Sequence, residues 1–241
     1  MNKIILTDST NPQKEIIHHA STILSNGGLV IIPTETVYGV ACDPNNNKAI
    51  KRLQKTKGRE KNKPISCLCS SIDQVKKMCI NWNKSIELLC KKYWPGPLTL
   101  VLETDNGWIG FRLPKHKIPI ELCNRFGDLL ALSSANFSGG TDSISADQTS
   151  SLDVDLILDG GLSSDRPIPS TVIRIDKNKI ERKKLNINIL LIKNEIKKVI
   201  AANNKDPFNP ILNSSFKLFG KLLLPSKCFL QLLTSDSDRR K

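Results

Sequence analysis

Aromatic side chains make up only 5% of the 241 residues, and there are three histidines. With so few rings, a platform that stacks successive bases of single-stranded nucleic acid is hard to build. His18 and His19 share one expected helix and His116 stands alone, so neither a Ser-His-Asp nor a Cys-His catalytic set can be assembled. No apolar run approaches the roughly 20 residues that span a bilayer. Met1 to Asp8 also has too short an apolar stretch for a secretory signal. A cytoplasmic protein with no membrane role is the expectation. Seven cysteines form an odd set without a CxxC pair, which argues against a disulfide frame or a structural zinc site. They are expected to be reduced core residues. Asp43 and Asp105 are isolated carboxylates, so no metal-ligating residues are assigned. Neither G-x-x-x-x-G-K-[ST] nor G-x-G-x-x-G occurs.

Positive charge is abundant. With 36 Lys and Arg against 23 Asp and Glu, the formal net charge is +13. Such a field draws in polyanions such as nucleotides, RNA or anionic lipid surfaces. The same surplus also follows from a Lys-, Asn- and Ile-rich composition, so charge alone does not choose a function. A 39% hydrophobic share beside 24% charged residues reads as a globular chain long enough to bury a core.

Apolar spacing predicts helices at Lys14–Ser25, Lys48–Lys57, Ile72–Cys79, Ser85–Tyr93 and Pro119–Arg125. Strands are expected at Leu29–Ile32, Ile65–Cys69, Leu98–Glu103, Ile109–Leu113, Leu129–Leu132, Leu156–Leu158 and Thr171–Ile175. Strands and helices intermix without strict alternation, which favours an α/β fold on an open, twisted, mixed parallel and antiparallel sheet. A boundary is expected near Ala202 to Lys205. It would separate a catalytic domain (1–201) from a partly helical or disordered C-terminal extension (202–241), too short for an independent core.

Three segments follow expected strands or helices, where open α/β sheets bind ligands. Pro33-Thr34-Glu35-Thr36-Val37-Tyr38-Gly39 offers two hydroxyls and a phenol for a small polar substrate, or is an ordinary loop. Lys57-Gly58-Arg59-Glu60-Lys61-Asn62-Lys63-Pro64 gathers four cations beside a glycine. It suits a polyphosphate through Arg forks and Lys point charges, or is a solvated charged face. Leu132-Ser133-Ser134-Ala135-Asn136-Phe137-Ser138-Gly139-Gly140 sets Ser134 and Asn136 two apart. In extended backbone they face one way, whereas in a turn they serve the backbone.

Read together, PTETVYGVACDP, KGREKNKPISCL, KKYWPGPLTLVL, GFRLP, LSSANFSGG and PSTVIRI occur in one order from about residue 10 to about residue 201. This series resembles the YrdC/TsaC family of L-threonylcarbamoyladenylate synthases. The resemblance implies a YrdC-like sheet with a concave basic cavity. It also implies the reaction of L-threonine, bicarbonate or CO2, and ATP to threonylcarbamoyl-AMP and pyrophosphate. Partner proteins would then transfer the threonylcarbamoyl group to the adenosine beside the anticodon in tRNAs reading ANN codons.

Position by position, the resemblance implies Lys57, Arg59, Ser134 and Asn136 as the catalytic set. Threonine would be bound by Thr36, Arg112, Ser134 and Ser170. ATP would be bound by Lys57, Arg59, Lys63, Asn136, Ser143, Ser145 and Arg182. Mg2+ is implied with ATP, held through phosphate and water rather than a protein cluster. Lys63 stands where the family often has Asn, Leu68 where some members carry His, and TDSISAD replaces a proline-containing loop. Those departures bear on the nucleotide contacts. A carbamoyl-transfer domain of hydrogenase maturation shares the fold but adds an acylphosphatase-like segment and zinc-finger cysteine pairs, both missing from this sequence. The alternative of another class is a non-catalytic binder of double-stranded RNA or tRNA.

Overall fold

The computed structural model describes residues 3–58, 64–176 and 179–184, all within one unit spanning Met1–Asn194. The expected boundary near Ala202 and the extension after it lie outside the described residues. Ten strands form one sheet: β1 (Ile4–Leu6), β2 (Val30–Ile32), β3 (Gly39–Cys42), β4 (Ser66–Leu68), β5 (Leu98–Thr104), β6 (Gly107–Arg112), β7 (Leu130–Ser134), β8 (Leu156–Asp159), β9 (Thr171–Asp176) and β10 (Lys179–Lys184). Their order is β1-β8-β2-β3-β7-β4-β6-β5-β9-β10. Parallel pairs (β1 with β8, β2 with β8, β4 with β6, β5 with β9) mix with antiparallel ones such as β2 with β3 and β5 with β6. The expected mixed α/β sheet is therefore present.

Five helices are described: α1 (Lys14–Ser25), α2 (Asn47–Thr56), α3 (Ile72–Met78), α4 (Lys84–Tyr93) and α5 (Lys117–Phe126). Side-chain caps begin four of them, because a short polar side chain satisfies amides that have no partner in the first turn. Asn46, Ser71, Asn83 and His116 accept from backbone N–H groups of α2, α3, α4 and α5 in turn. Gly58, at φ +57°, takes a left-handed conformation after the C-cap Lys57 and turns the chain away from α2.

The sheet buries both faces. On one face, Ile17, Ala20 and Leu24 of α1 and Ile118 and Leu122 of α5 pack on Val30, Ile32, Ala41, Leu68, Leu130, Leu156 and Leu158. On the other, Ala49 and Leu53 of α2 meet Leu29, Ile31, Val40, Cys42, Ala131 and Ile157. Adjacent Cα partners point the same way across a sheet. The first face therefore continues from Gly39 through Ser134 and Leu132 to Ser66 and Leu68, then Arg112, Thr99 and Val172. Beyond Leu68 it turns polar.

Candidate active site

That polar stretch floors a cavity of about 170 Å3. Binding pockets for drug-sized ligands run to roughly 300–1,000 Å3, so the space suits a guest of amino-acid size. Ser66, Thr99, Arg112, Ser134 and Ser170 are among its polar lining residues, and Leu68, Leu132, Pro169 and Val172 among its apolar ones. The Thr99 and Ser170 hydroxyls lie 2.8 Å apart. Gly110 keeps the floor open, since a Cβ there would come within 2.8 Å of Ser66 Oγ and 3.3 Å of Thr99 Cγ2.

Arg112 ends β6 and is buried at 5% exposure. Its Nη2 donates to Thr36 Oγ1 at 2.9 Å and lies 2.9 Å from Glu35 Oε1. Thr36 is placed by its neighbour. Thr34 Oγ1 donates to the Val37 carbonyl at 2.7 Å, accepts from the N–H groups of Thr36 and Val37, and lies 2.9 Å from Thr36 Oγ1. His116 is close enough to feel Glu35. Burial lowers its pKa and the Glu35 carboxylate opposes that shift.

Lys57 forms a second cluster. Its ammonium donates to the backbone oxygens of Ser134 and Asn136 and to Asn136 Oδ1. Ser134 Oγ donates to the same Oδ1 at 2.7 Å, and the Asn136 amide donates to the Gly140 carbonyl at 2.6 Å. The Ser134 to Asn136 segment is a turn, with the Asn136 N–H donating to Ser134 O at 3.0 Å, rather than extended backbone. The two side chains meet nonetheless. The structure thus joins Lys57, Ser134 and Asn136 in one cluster, with Ser134 also on the cavity that Arg112 and Ser170 share.

Other expected residues are placed differently. Ser143 is buried and donates to the Ala135 carbonyl at 2.8 Å, and Ser145 is half-buried on the following loop. Arg182 lies on β10 opposite Ile173. Its side chain, with Arg59 and Lys63, lies outside the described residues. Pro64, at the far end of that cationic run, lines the cavity. Tyr38 does not offer its phenol to a substrate. The hydroxyl donates to the Gly161 carbonyl at 2.6 Å and accepts from the Gly160 N–H at 3.2 Å. Burial, with the nearby Asp159 charge adding to it, raises its pKa strongly.

Three polar contributors were not singled out in the sequence: Glu35, Ser66 and Thr99. All three stand inside family-like segments, PTETVYGVACDP, KGREKNKPISCL and KKYWPGPLTLVL, and that is the signal the sequence offers for them. Among the described residues no group of three or more His, Cys, Asp or Glu could hold a metal ion. No helix there is long and apolar enough to cross a membrane.

The chain matches the Sua5_yciO_yrdC family model, described as telomere recombination, over residues 22–184. It is 31% identical over 177 residues to the threonylcarbamoyl-AMP synthase of Bos taurus, covering 67% of this chain and 63% of that protein. To the threonylcarbamoyl-AMP synthase of Buchnera aphidicola it is 32% identical over 174 residues, covering 66% of this chain and 99% of that one. A crystal structure of Pyrococcus abyssi Sua5 complexed with L-threonine aligns with a TM-score of 0.73 at 29% identity, covering 82% of this chain and 60% of that one. The chain thus spans less than two thirds of the bovine and Pyrococcus proteins and nearly all of the Buchnera one.

Proposed function

The chain belongs to the Sua5/YciO/YrdC family, and from that premise we propose that it joins L-threonine, bicarbonate or CO2, and ATP into threonylcarbamoyl-AMP with release of pyrophosphate. The observation that carries this reading is the cavity that Arg112 lines together with Thr99, Ser134 and Ser170. Arg112 takes the threonine carboxylate through charge-assisted hydrogen bonds. Its bond to Thr36 sets its direction. Ser134 and Ser170 complete the amino-acid pocket.

The chemistry asks for little covalent help. The threonine ammonium loses a proton, its nitrogen adds to CO2, and a second proton leaves the nitrogen to give a carbamate. A carbamate oxygen then attacks the α-phosphorus of ATP, and the bond to the pyrophosphate oxygen breaks. Both reactants are anions, so fixed positive charge and positioning lower the barrier. Lys57, Arg59 and Lys63 belong to the cationic run that serves the triphosphate, with Arg182, Ser143, Ser145 and Asn136 as further nucleotide contacts. The ammonium of Lys57 also orders the Ser134–Asn136 turn. Exclusion of water protects the carbamate and the mixed anhydride. Among the described residues no cluster of His, Cys, Asp or Glu could hold a metal ion; Mg2+ would be held by the phosphates of ATP and by water, where it would offset the triphosphate charge.

Downstream, a partner complex passes the threonylcarbamoyl group to tRNA. The charge of +13 also favours a second reading, a double-stranded RNA or tRNA binder without catalysis. That protein would bind RNA with affinity falling steeply as salt rises, and would not turn over ATP. The test is pyrophosphate release from ATP. The synthase requires both L-threonine and bicarbonate for it, and ATP hydrolysis indifferent to either would overturn the proposal.

A further inference from the structure

Glu35 has no part in the scheme above, yet it makes an unusual contact. Its side chain is 19% exposed and that of Arg112 7%, and they meet at 2.9 Å. Neither carboxylate oxygen has an aligned hydrogen bond among the described residues, and Arg112 Nε is likewise buried without one. Burying two charges is costly unless each neutralises the other, and an apolar pair of similar volume would serve stability as well. The carboxylate does something an apolar residue cannot. It holds Nη2, together with Thr36 Oγ1, on a side of the guanidinium occupied by two residues that do not border the cavity. Arg112 itself does border it.

We propose that Glu35 is a positioning residue for amino-acid recognition, which fixes the Arg112 guanidinium against the cavity so that it meets a carboxylate in one orientation. This rests on the reading of Arg112 as the group that takes the carboxylate of L-threonine. Glu35 acts through Arg112 and does not touch the substrate. Its carboxylate also offsets the Arg112 charge.

The test is calorimetric titration of the full chain with L-threonine, alongside steady-state kinetics, for wild type, Glu35→Gln, Glu35→Asp, Arg112→Lys and the Glu35→Gln/Arg112→Lys double variant. Glu35→Gln should weaken threonine binding about tenfold, the loss of roughly one charge-assisted contact. It should raise the threonine KM in step, and leave both the ATP KM and kcat at saturating threonine within about twofold. Glu35→Asp keeps the charge and should recover part of the affinity. In the Arg112→Lys background the Gln change should add little, since its target is gone. Unchanged or tighter binding by Glu35→Gln overturns the inference, the latter because Glu35 would then compete with substrate for Arg112. Equal damage to both substrates' KM values, or a Glu35→Gln chain that fails to fold while Glu35→Asp shows no partial recovery, also overturns it, by marking a merely structural carboxylate. Failure of the wild type to bind threonine removes the proposed function, and this inference with it.

Discussion

The ammonium of Lys57 is bonded to Asn136 twice, at 2.6 Å to the backbone oxygen and at 3.2 Å to Oδ1, and bonds the Ser134 carbonyl as well. The end of α2 is thereby tied to the turn after β7. The Ser138 N–H completes the link by donating to the Lys57 carbonyl at 2.8 Å.

Lys57→Ala should therefore abolish turnover and also weaken the fold. Three acceptors lose a charged donor at a residue 2% exposed, a cost of about 1.5–3 kcal/mol. Paired denaturant curves and pyrophosphate assays check this. An inactive variant with wild-type stability would mean that the ammonium does not hold the turn.

Gly110→Ala tests the cavity floor. The added methyl would press on Ser66 Oγ and Thr99 Cγ2, and overpacking of this kind costs about 1–3 kcal/mol. The threonine KM should rise about tenfold or more while the ATP KM changes little. A KM shift confined to ATP would place the amino acid elsewhere.

Tyr38→Phe separates architecture from chemistry. Its hydroxyl satisfies the Gly161 carbonyl and the Gly160 N–H, so its loss should cost about 1–3 kcal/mol of stability. Turnover at saturating substrates should survive. Abolished turnover in a folded Tyr38→Phe protein would restore the phenol to the reaction.

Burial pushes the thiols of Cys42, Cys67, Cys90 and Cys123 up to about 12 from an ordinary 9.0, with neighbouring acidic groups adding to it. A raised folded-state pKa contributes stability that is fully present below pH 9.0 and lost as pH climbs toward about 12. Unfolding free energy should accordingly fall between about pH 9 and about pH 12, by up to about 1.4 kcal/mol per pH unit for each thiol. A thiol reagent at about pH 8 should leave these four unmodified until the chain unfolds. A flat profile, or prompt labelling of all four, would contradict their burial.

Much of the fold was legible because its elements carry clear apolar spacing. The helix expected at Lys14–Ser25 is α1 to the residue, and most other elements fall within a residue or two. The strands that escaped have weak local signals. β1 is a three-residue edge strand in which Ile5 packs inward, β3 opens with a glycine inside a segment read as loop, and β10 is the charged run KIERKK. Their pairing partners supply what their own spacing lacks. At the site, the Ser134 and Asn136 pair could be read from positions only two apart. The partnership of Glu35 with Arg112 could not, because 77 positions separate them and only the folded sheet brings the end of β6 against the loop after β2. The Lys57 ammonium was expected to face phosphate. That it bonds a backbone turn depends on where α2 ends, which sequence spacing leaves open by a residue or more.

The most direct measurement is mass spectrometry of the nucleotide product formed from ATP, L-threonine and 13C-bicarbonate. The account predicts an AMP adduct that contains the whole amino acid and carries the label in its carbamoyl carbon, formed in step with pyrophosphate. Release of AMP or ADP without any labelled adduct, under conditions where the chain is folded and binds threonine, would contradict it.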